Sequence, residues 1–491
     1  MFKRLAVHVT NYSLGTLLVI VAGLVSFPIF TRAFTLEQYG TLSLVSTTLL
    51  LATVVGKFGM QHSIVRFHAE MRAGKYPETE SQFFSTVVLG MAAVGACVAG
   101  AWLIVSQLVP EAWWGQEGIR SLFALTALLI VVRVIDSALV NLLRAQQLSG
   151  WYSIYSVARR YGVLFSTLIA VFLLVPGLEG FFGGAMVAEI IATGILCYIL
   201  LKHHNVSASS VSPRLLKSMA VFGLPMVAYE FAGVILNLGD RYVIQSIMGS
   251  APLGAYSAAY NMCEYVQSIL VAAVGQAVTP MYMRLWEEQG KDATRAFVER
   301  VFHFYVLAAF AVVTCMCLIG SDLLILLASE KYAPGTAIIP AVIAGMVIDG
   351  SVPILAAGLF LAKQTKALML IVIGSAILNL GLNLWWIPGH GLQGAAIAML
   401  VSYVALTAGA GWIGSRTLAI RVPILSICKF ALCGVAAYGI ADWGIPSTGM
   451  LGITEKVALG GCIYFACVLL IDGQCRNILR AALQRLRPMP G

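Results

Sequence analysis

The sequence predicts an all-α integral membrane protein of about 14 transmembrane helices. Three observations lead there. Apolar runs of about 18 residues or more recur from one end of the chain to the other. Charged residues make up 11% of the 491 residues, against about a quarter in soluble domains, and the mean hydropathy is +0.88. Finally, the runs are far too long for the alternating strands of a membrane barrel. In hydrocarbon each backbone polar group needs an internal partner, which a helix supplies along its own length.

In order, the predicted spans cover roughly 13–33, 40–62, 84–107, 121–143, 153–175, 181–201, 218–247, 254–283, 299–319, 337–361, 368–387, 392–414, 424–443 and 451–471. The first follows Lys3 and Arg4, as a signal peptide would. It also holds Pro28 and Arg32 and lacks a small-residue cleavage site, so it reads as a retained helix. Basic residues set the orientation. With the N-terminus in the cytoplasm, the Arg66–Lys75, Lys202–Lys217, Arg284–Arg300 and Arg476–Arg487 clusters fall inside, and the outer loops keep little beyond Arg120, Lys331 and Lys456. The expectation is a multi-pass protein of a bacterial inner membrane with both termini cytoplasmic. The formal net charge of +9 is then a topology signal. No basic-aromatic module accompanies it, so no nucleic-acid partner is expected.

Three landmarks repeat at a nearly constant offset. Gly40-Thr-Leu-Ser43 pairs with Gly254-Ala-Tyr-Ser257, Val134-Ile-Asp136 with Val347-Ile-Asp349, and Gly177-Leu-Glu-Gly180 with Gly391-Leu-Gln-Gly394, at offsets of 214, 213 and 214. An even number of helices per copy gives both copies the same topology, related by an axis along the membrane normal. This predicts two pseudo-symmetric six-helix lobes around a cavity, 1–205 and 218–420, joined by a cytoplasmic linker at 206–217. Two extra helices at 421–475 pack on one lobe, and a basic cytoplasmic tail occupies 476–491. In the tail, Arg476, Arg480 and Arg487 share one helical face and Leu479, Leu483 and Leu486 another, which suits an interfacial helix on an anionic leaflet.

Most chemistry is excluded. The ten cysteines lie almost entirely in apolar spans, with Cys475 in the tail. Cys315 and Cys317 have no His or acidic neighbour, so no metal is expected there. There is no P-loop, no zinc-protease motif and no nucleophile elbow, hence no cofactor and no enzyme activity is expected. The short outer loops leave no room for a polymerase or glycosyltransferase domain. Transport remains.

Ionisable residues at membrane depth are costly and normally face a bundle interior or a wet cavity. Arg32, Lys57, Arg133, Asp136, Arg241 and Asp349, with Arg159 and Arg160 nearer the inner surface, are the candidates to line a substrate cavity. Arg133 and Asp136, three apart, are placed to pair locally. Arg32 and Arg241 end comparable helices of the two repeats, and Arg suits phosphate. Glu230, Asp240 and Glu264 are the candidates for coupling-ion sites. Glu230 shares its helix with Pro225, where the missing N–H favours a kink. Glu189 completes the set of buried charges.

The residues Phe27-Pro28-Ile-Phe-Thr-Arg32, Gln38-Tyr39-Gly40, Phe222-Gly223-Leu224-Pro225, Gly239-Asp240-Arg241-Tyr242 and Gly254-Ala-Tyr-Ser257 resemble the polysaccharide transporter (Wzx-type flippase) branch of the multidrug/oligosaccharidyl-lipid/polysaccharide exporter superfamily. The resemblance covers nearly the whole chain. It implies two six-helix lobes working by alternating access on undecaprenyl-pyrophosphate-linked oligosaccharide. The cargo would pass from the cytoplasmic to the periplasmic leaflet, for O-antigen, capsule or exopolysaccharide. The implied partners are that lipid-linked oligosaccharide, membrane lipids, and the polymerase and glycosyltransferases of the same pathway. Helices 13 and 14 resemble the extra pair of lipid II flippases. Two other readings stand beside it: a cation-coupled multidrug exporter using Asp136, Glu230 and Asp349, and a non-transporting membrane component of polymer assembly.

Overall fold

In the computed structural model the described residues are 2–108, 110–111, 119–202, 205–444, 449–477 and 480, with side chains described outside 2–13, 272–277 and 444. The basic tail expected at 476–491 lies almost wholly outside them. No strand occurs among the described residues, and helices account for nearly all of them. They are α1 (Phe2–Ala33), α2 (Leu36–Lys57), α3 (Met60–Arg72), α4 (Glu80–Leu108), α5 (Ile119–Ala145), α6 (Ser149–Ile169), α7 (Leu178–Leu201), α8 (Pro213–Leu238) and α9 (Asp240–Met248). After these come α10 (Ser250–Ala328), α11 (Ile339–Asp349), α12 (Val352–Leu355), α13 (Ala357–Leu361), α14 (Thr365–Gly414), α15 (Ile424–Gly444) and α16 (Met450–Ile471).

Twelve helices among the described residues are long and apolar enough to cross a membrane. The expected figure of 14 differs because two helices carry more than one pass. α10 has 79 residues and α14 has 50. At about 1.5 Å per residue each far exceeds a hydrocarbon core of about 30 Å. Each is broken by one glycine in a conformation that other residues resist, Gly290 (φ 78°) and Gly391 (φ 56°). Conversely, the single span expected at 218–247 is two helices, α8 and α9, meeting at Gly239.

Contacts divide the chain into two compact units, Met1–Ser257 with Met369–Ala395, and Ala258–Leu368 with Ala396–Gly491. In the first, α4 packs on α5, α6 on α7 and α1, and α3 on α5 and α8. Aromatic edges knit α1 to α7, where Phe181 meets Phe30 at 5.0 Å between centroids. In the second unit α15 and α16 form a pair. They pack against the later arm of α10 through Leu318, Ile319, Ala441 and Ile453. The Tyr464 hydroxyl donates to the Leu307 carbonyl at 2.8 Å and pins α16 to that arm.

The repeated motifs acquire physical reasons. A Cβ on Gly40 would lie 2.0 Å from the Ser250 carbonyl oxygen, and one on Gly254 would lie 2.0 Å from that of Leu36. Ser257 Oγ then donates to Ser43 Oγ at 2.7 Å, across an offset of 214. The two copies of this motif therefore touch each other, as small residues do where membrane helices cross closely. Equivalent residues in mutual contact are what a two-fold pseudo-axis produces. In a second of the three repeated motifs, Gly177 (φ 96°) and Gly391 (φ 56°) both supply the positive-φ turn that starts the next helix.

Candidate functional site

A cavity of about 800 Å³ lies within the first unit, bounded by α1, α2, α3, α5, α6, α7 and α8. Its walls are helical stripes in which polar and charged residues alternate with apolar ones. Ser46, Leu50, Thr53 and Lys57 form that stripe on α2, and Arg133, Ser137, Val140 and Arg144 form it on α5. Tyr152, Tyr155, Ser156, Arg159, Arg160 and Val163 continue it on α6, and Phe182, Ala185 and Glu189 on α7. Spacings of three, four, seven and eleven place each set on one face. Gln61, His62 and Glu230 add to the lining from α3 and α8.

One wall is a five-membered charged network. Arg133 grips Glu189 with Nε at 2.9 and 3.2 Å and Nη2 at 3.0 Å. Arg159 bridges the two carboxylates, with Nη1 3.1 Å from Asp136 and Nη2 3.4 Å from Glu189. The Tyr155 hydroxyl donates to Asp136. Both carboxylates are buried, whereas the Arg133 and Arg159 side chains are 28% exposed. Arg133 and Asp136 are thus not the local pair expected from their spacing. Each reaches a different helix, because side chains three apart on α5 diverge enough to meet α7 and α6 separately.

Opposite in character is the Glu230 cluster. Gln61 Nε2 donates to Glu230 Oε2 at 2.8 Å, and His62 Nε2 lies 2.6 Å from Oε1. Farther along, Arg144 Nη2 donates to the Tyr152 hydroxyl at 2.7 Å, and its guanidinium lies over that ring, 4.7 Å from the centroid.

The charge count of the lining is decisive. Five basic side chains (Lys57, Arg133, Arg144, Arg159, Arg160) face three acidic ones (Asp136, Glu189, Glu230). Each acid already holds donors, while Lys57 and Arg160 make no ion pair among the described residues. Lys57 also ends α2, where the partial negative charge of the helix end favours a cation. The lining thus carries more positive than negative side chains.

Of the residues expected in a substrate cavity, Lys57, Arg133, Asp136, Arg159 and Arg160 are brought together here. Arg32, Arg241 and Asp349 are not among the lining residues. Arg32 is exposed in the last turn of α1. Arg241 is buried at the start of α9, where Nη1 donates to Thr47 Oγ1 at 3.2 Å. Asp349 ends α11 in the second unit. Among the coupling candidates Glu230 lines the cavity, Asp240 is buried and accepts from the Tyr256 hydroxyl, and Glu264 is exposed on α10. Sequence reasoning passed over Gln61, His62, Arg144 and Tyr155 as lining residues. The polar stripes at helical spacing were the available signal.

Residues 6–286, more than half of the chain, match the family described as "Polysaccharide biosynthesis protein". The chain belongs to that family. Similar solved structures agree on the fold. "Lipid II flippase MurJ, inward closed conformation" aligns at 14% identity and TM-score 0.74, covering 95% of this chain and 99% of that one. An inward-facing multidrug resistance MATE family transporter of the MOP superfamily aligns at 12% identity and TM-score 0.65, covering 81% and 94%. The MATE multidrug transporter DinF-BH aligns at 14% identity and TM-score 0.62, covering 84% and 95%. No curated protein sequence matches the chain. This member of the polysaccharide biosynthesis family is therefore a multi-pass membrane protein with the MurJ/MATE fold.

Proposed function

We propose that this protein flips an undecaprenyl-pyrophosphate-linked oligosaccharide from the cytoplasmic to the periplasmic leaflet of a bacterial inner membrane. The product would feed O-antigen, capsule or exopolysaccharide assembly. The observation that carries this reading is the surplus of basic side chains in the cavity, with Lys57 and Arg160 uncommitted. A diphosphate is the anionic part of such a carrier lipid, and Arg and Lys are its usual partners. A cavity of about 800 Å³ lies in the range that holds a small polar ligand, enough for the diphosphate and the first sugars.

In this reading the two six-helix halves, 1–205 and 218–420, alternate access about the contact of Gly40 and Gly254, with both termini cytoplasmic. The head group displaces water from Lys57 and Arg160, while Arg133 and Arg159, held by Glu189 and Asp136, keep their geometry. Glu230, bonded to Gln61 and His62, is the residue assigned to proton or cation coupling; Asp240 and Glu264 are the remaining candidates. Polymerase and glycosyltransferases of the same pathway would be its partners.

Reconstitution tests this. Vesicles holding the purified chain and a fluorescent lipid-diphosphate oligosaccharide should lose outer-leaflet label to the opposite leaflet, and a Lys57→Ala/Arg160→Ala chain should not support this. Equal scrambling by both would refute the assignment. The competing reading, a cation-coupled drug exporter, draws on the MATE fold. It calls for a surplus of acid in the cavity, and there basic side chains outnumber acidic ones five to three. Unchanged drug sensitivity in a deletion strain is the expected outcome.

A further inference from the structure

Away from the cavity, the second unit carries a cluster that transport does not explain. His303 of α10 meets Asp472 and Cys475, which follow α16, and the potential ligand atoms of the three lie within 4.8 Å of one another. His303 and Asp472 are buried and Cys475 is half-buried. We propose that these residues form a site for a borderline divalent transition-metal ion, best matched by Zn²⁺.

The strongest observation is the state of His303. Its ring is boxed by Phe304 and Phe430, with centroids 5.2 Å away in each case. Nδ1 lies 3.0 Å from Ser426 Oγ. Nε2 has no hydrogen-bond partner although it is fully buried, and it faces Asp472 Oδ1 at 3.5 Å, too far for a hydrogen bond. Either atom of the Nδ1–Ser426 pair can donate; in the tautomer where Nδ1–H donates, Nε2 holds a lone pair directed toward a carboxylate. In that tautomer two electron-rich atoms face each other in a buried place and a metal cation fits between them; a proton on Nε2, pairing with Asp472 at 3.5 Å, is the competing occupant. A metal-bound imidazole has its tautomer fixed by a hydrogen bond from the other ring nitrogen, usually to a carboxylate, backbone carbonyl or water, and the Ser426 hydroxyl stands in that place here.

The bland account covers part of this. Asp472 caps the turn after α16, since the Cys475 N–H donates to its Oδ1 at 2.9 Å, and Asp-x-x-Cys spacing then brings the thiol alongside. Capping gives no reason for His303 Nε2 to be stranded there. One thiolate, one imidazole and one carboxylate make a mixed set suited to Zn²⁺ and not to Mg²⁺ or Ca²⁺, which take oxygen ligands. Ligand atoms around tetrahedral zinc sit about 3–4 Å apart, so small side-chain rotations close the cluster. His303 and Ser426 also line a cavity of about 560 Å³, together with Glu299, Arg300 and Arg421. Because one ligand comes from α10 and two from beyond α16, the ion would fasten the end of the last span to the unit's interior.

The test uses the full-length chain in detergent, stripped with chelator and titrated with Zn²⁺, and with Co²⁺ as a coloured surrogate. The expected result is one ion per chain, with a thiolate-to-cobalt charge-transfer band. Cys475→Ser should abolish the band, which also separates this thiol from the other nine cysteines. His303→Ala should weaken zinc binding by more than about 100-fold, and Ser426→Ala by about 10–100-fold while leaving every ligand in place. Matching thermal transitions of the stripped proteins establish that the variants fold. If His303→Ala does not fold, the Ser426→Ala and Cys475→Ser results stand alone. A folded wild-type chain that holds no zinc, or binding unaltered by Cys475→Ser and Ser426→Ala, overturns the proposal.

Discussion

Replacing Glu189 by Gln keeps the side chain's shape and removes its charge. In the structure this carboxylate is 5% exposed and accepts both donor positions of the Arg133 guanidinium, with Arg159 Nη2 at 3.4 Å on its other side. The variant leaves two guanidinium groups with one carboxylate, Asp136. Breaking a fully buried pair costs about 3–5 kcal/mol. Here both arginines are 28% exposed, and solvent screening reduces that to about 2 kcal/mol. Arg133→Gln should cost a similar amount, because it leaves the same carboxylate only the longer contact to Arg159. The double variant should be little worse than either single one, since the second change removes an interaction already lost. The coupling is thus about 2 kcal/mol, read as the non-additive part of the shifts in a four-protein thermal-unfolding series in detergent. Additive shifts, with the double variant falling by the sum of the two, would mean that Arg133 and Glu189 do not act as a unit.

Other outcomes follow from the same geometry. Arg159→Gln should lower flipping more than Arg133→Gln, by over about 10-fold, because Arg159 alone separates two carboxylates; equal effects would contradict the bridging role. Lys57→Gln and Arg160→Gln should each weaken binding of the lipid diphosphate about 5-fold and reduce its salt sensitivity, with thermal stability unchanged. A fall in stability would instead mark them as structural. Glu230→Gln should flatten the pH dependence of flipping, and a profile identical to the wild type's would remove Glu230 from coupling. Gly40→Ala should lower stability by about 1–3 kcal/mol or more, since its Cβ would lie 2.0 Å from a backbone oxygen. Ser43→Ala, which loses only the Ser257 bond, should cost under about 1.5 kcal/mol, and thermal transitions of the two variants compare them.

Much of the fold is legible in the sequence, because hydrocarbon permits few alternatives. Apolar runs had to be helices, and Gly391 falls at the predicted boundary between two spans. The pairing of Gly40 with Gly254 was visible as a repeat, although their contact was not, since a repeat carries no information about where its axis passes. The site was half legible. The cost of burying charge singled out Lys57, Arg133, Asp136, Arg159 and Arg160. It singled out Arg241 equally, and composition cannot tell a charge facing a cavity from one satisfied inside the packing by Thr47. Partner choice was misread for the same reason: spacing along α5 joins Arg133 to Asp136, whereas the neighbouring helices α6 and α7 offer better geometry. His303 and Asp472, far apart in sequence, gave no hint of each other.

The basic surplus of the cavity also has an electrical consequence. A diphosphate diester carries one negative charge on each phosphate, so the five basic and three acidic side chains leave a loaded cavity close to neutral and an empty one positive. Moving an elementary charge through a potential of 100 mV is worth about 2.3 kcal/mol. In the proposed cycle a membrane held negative inside does little work on the loaded passage. It acts on the empty return, drawing the bare cavity back toward the cytoplasmic face. Voltage would then reset the carrier, and its collapse would strand the protein facing outward with its cargo already delivered.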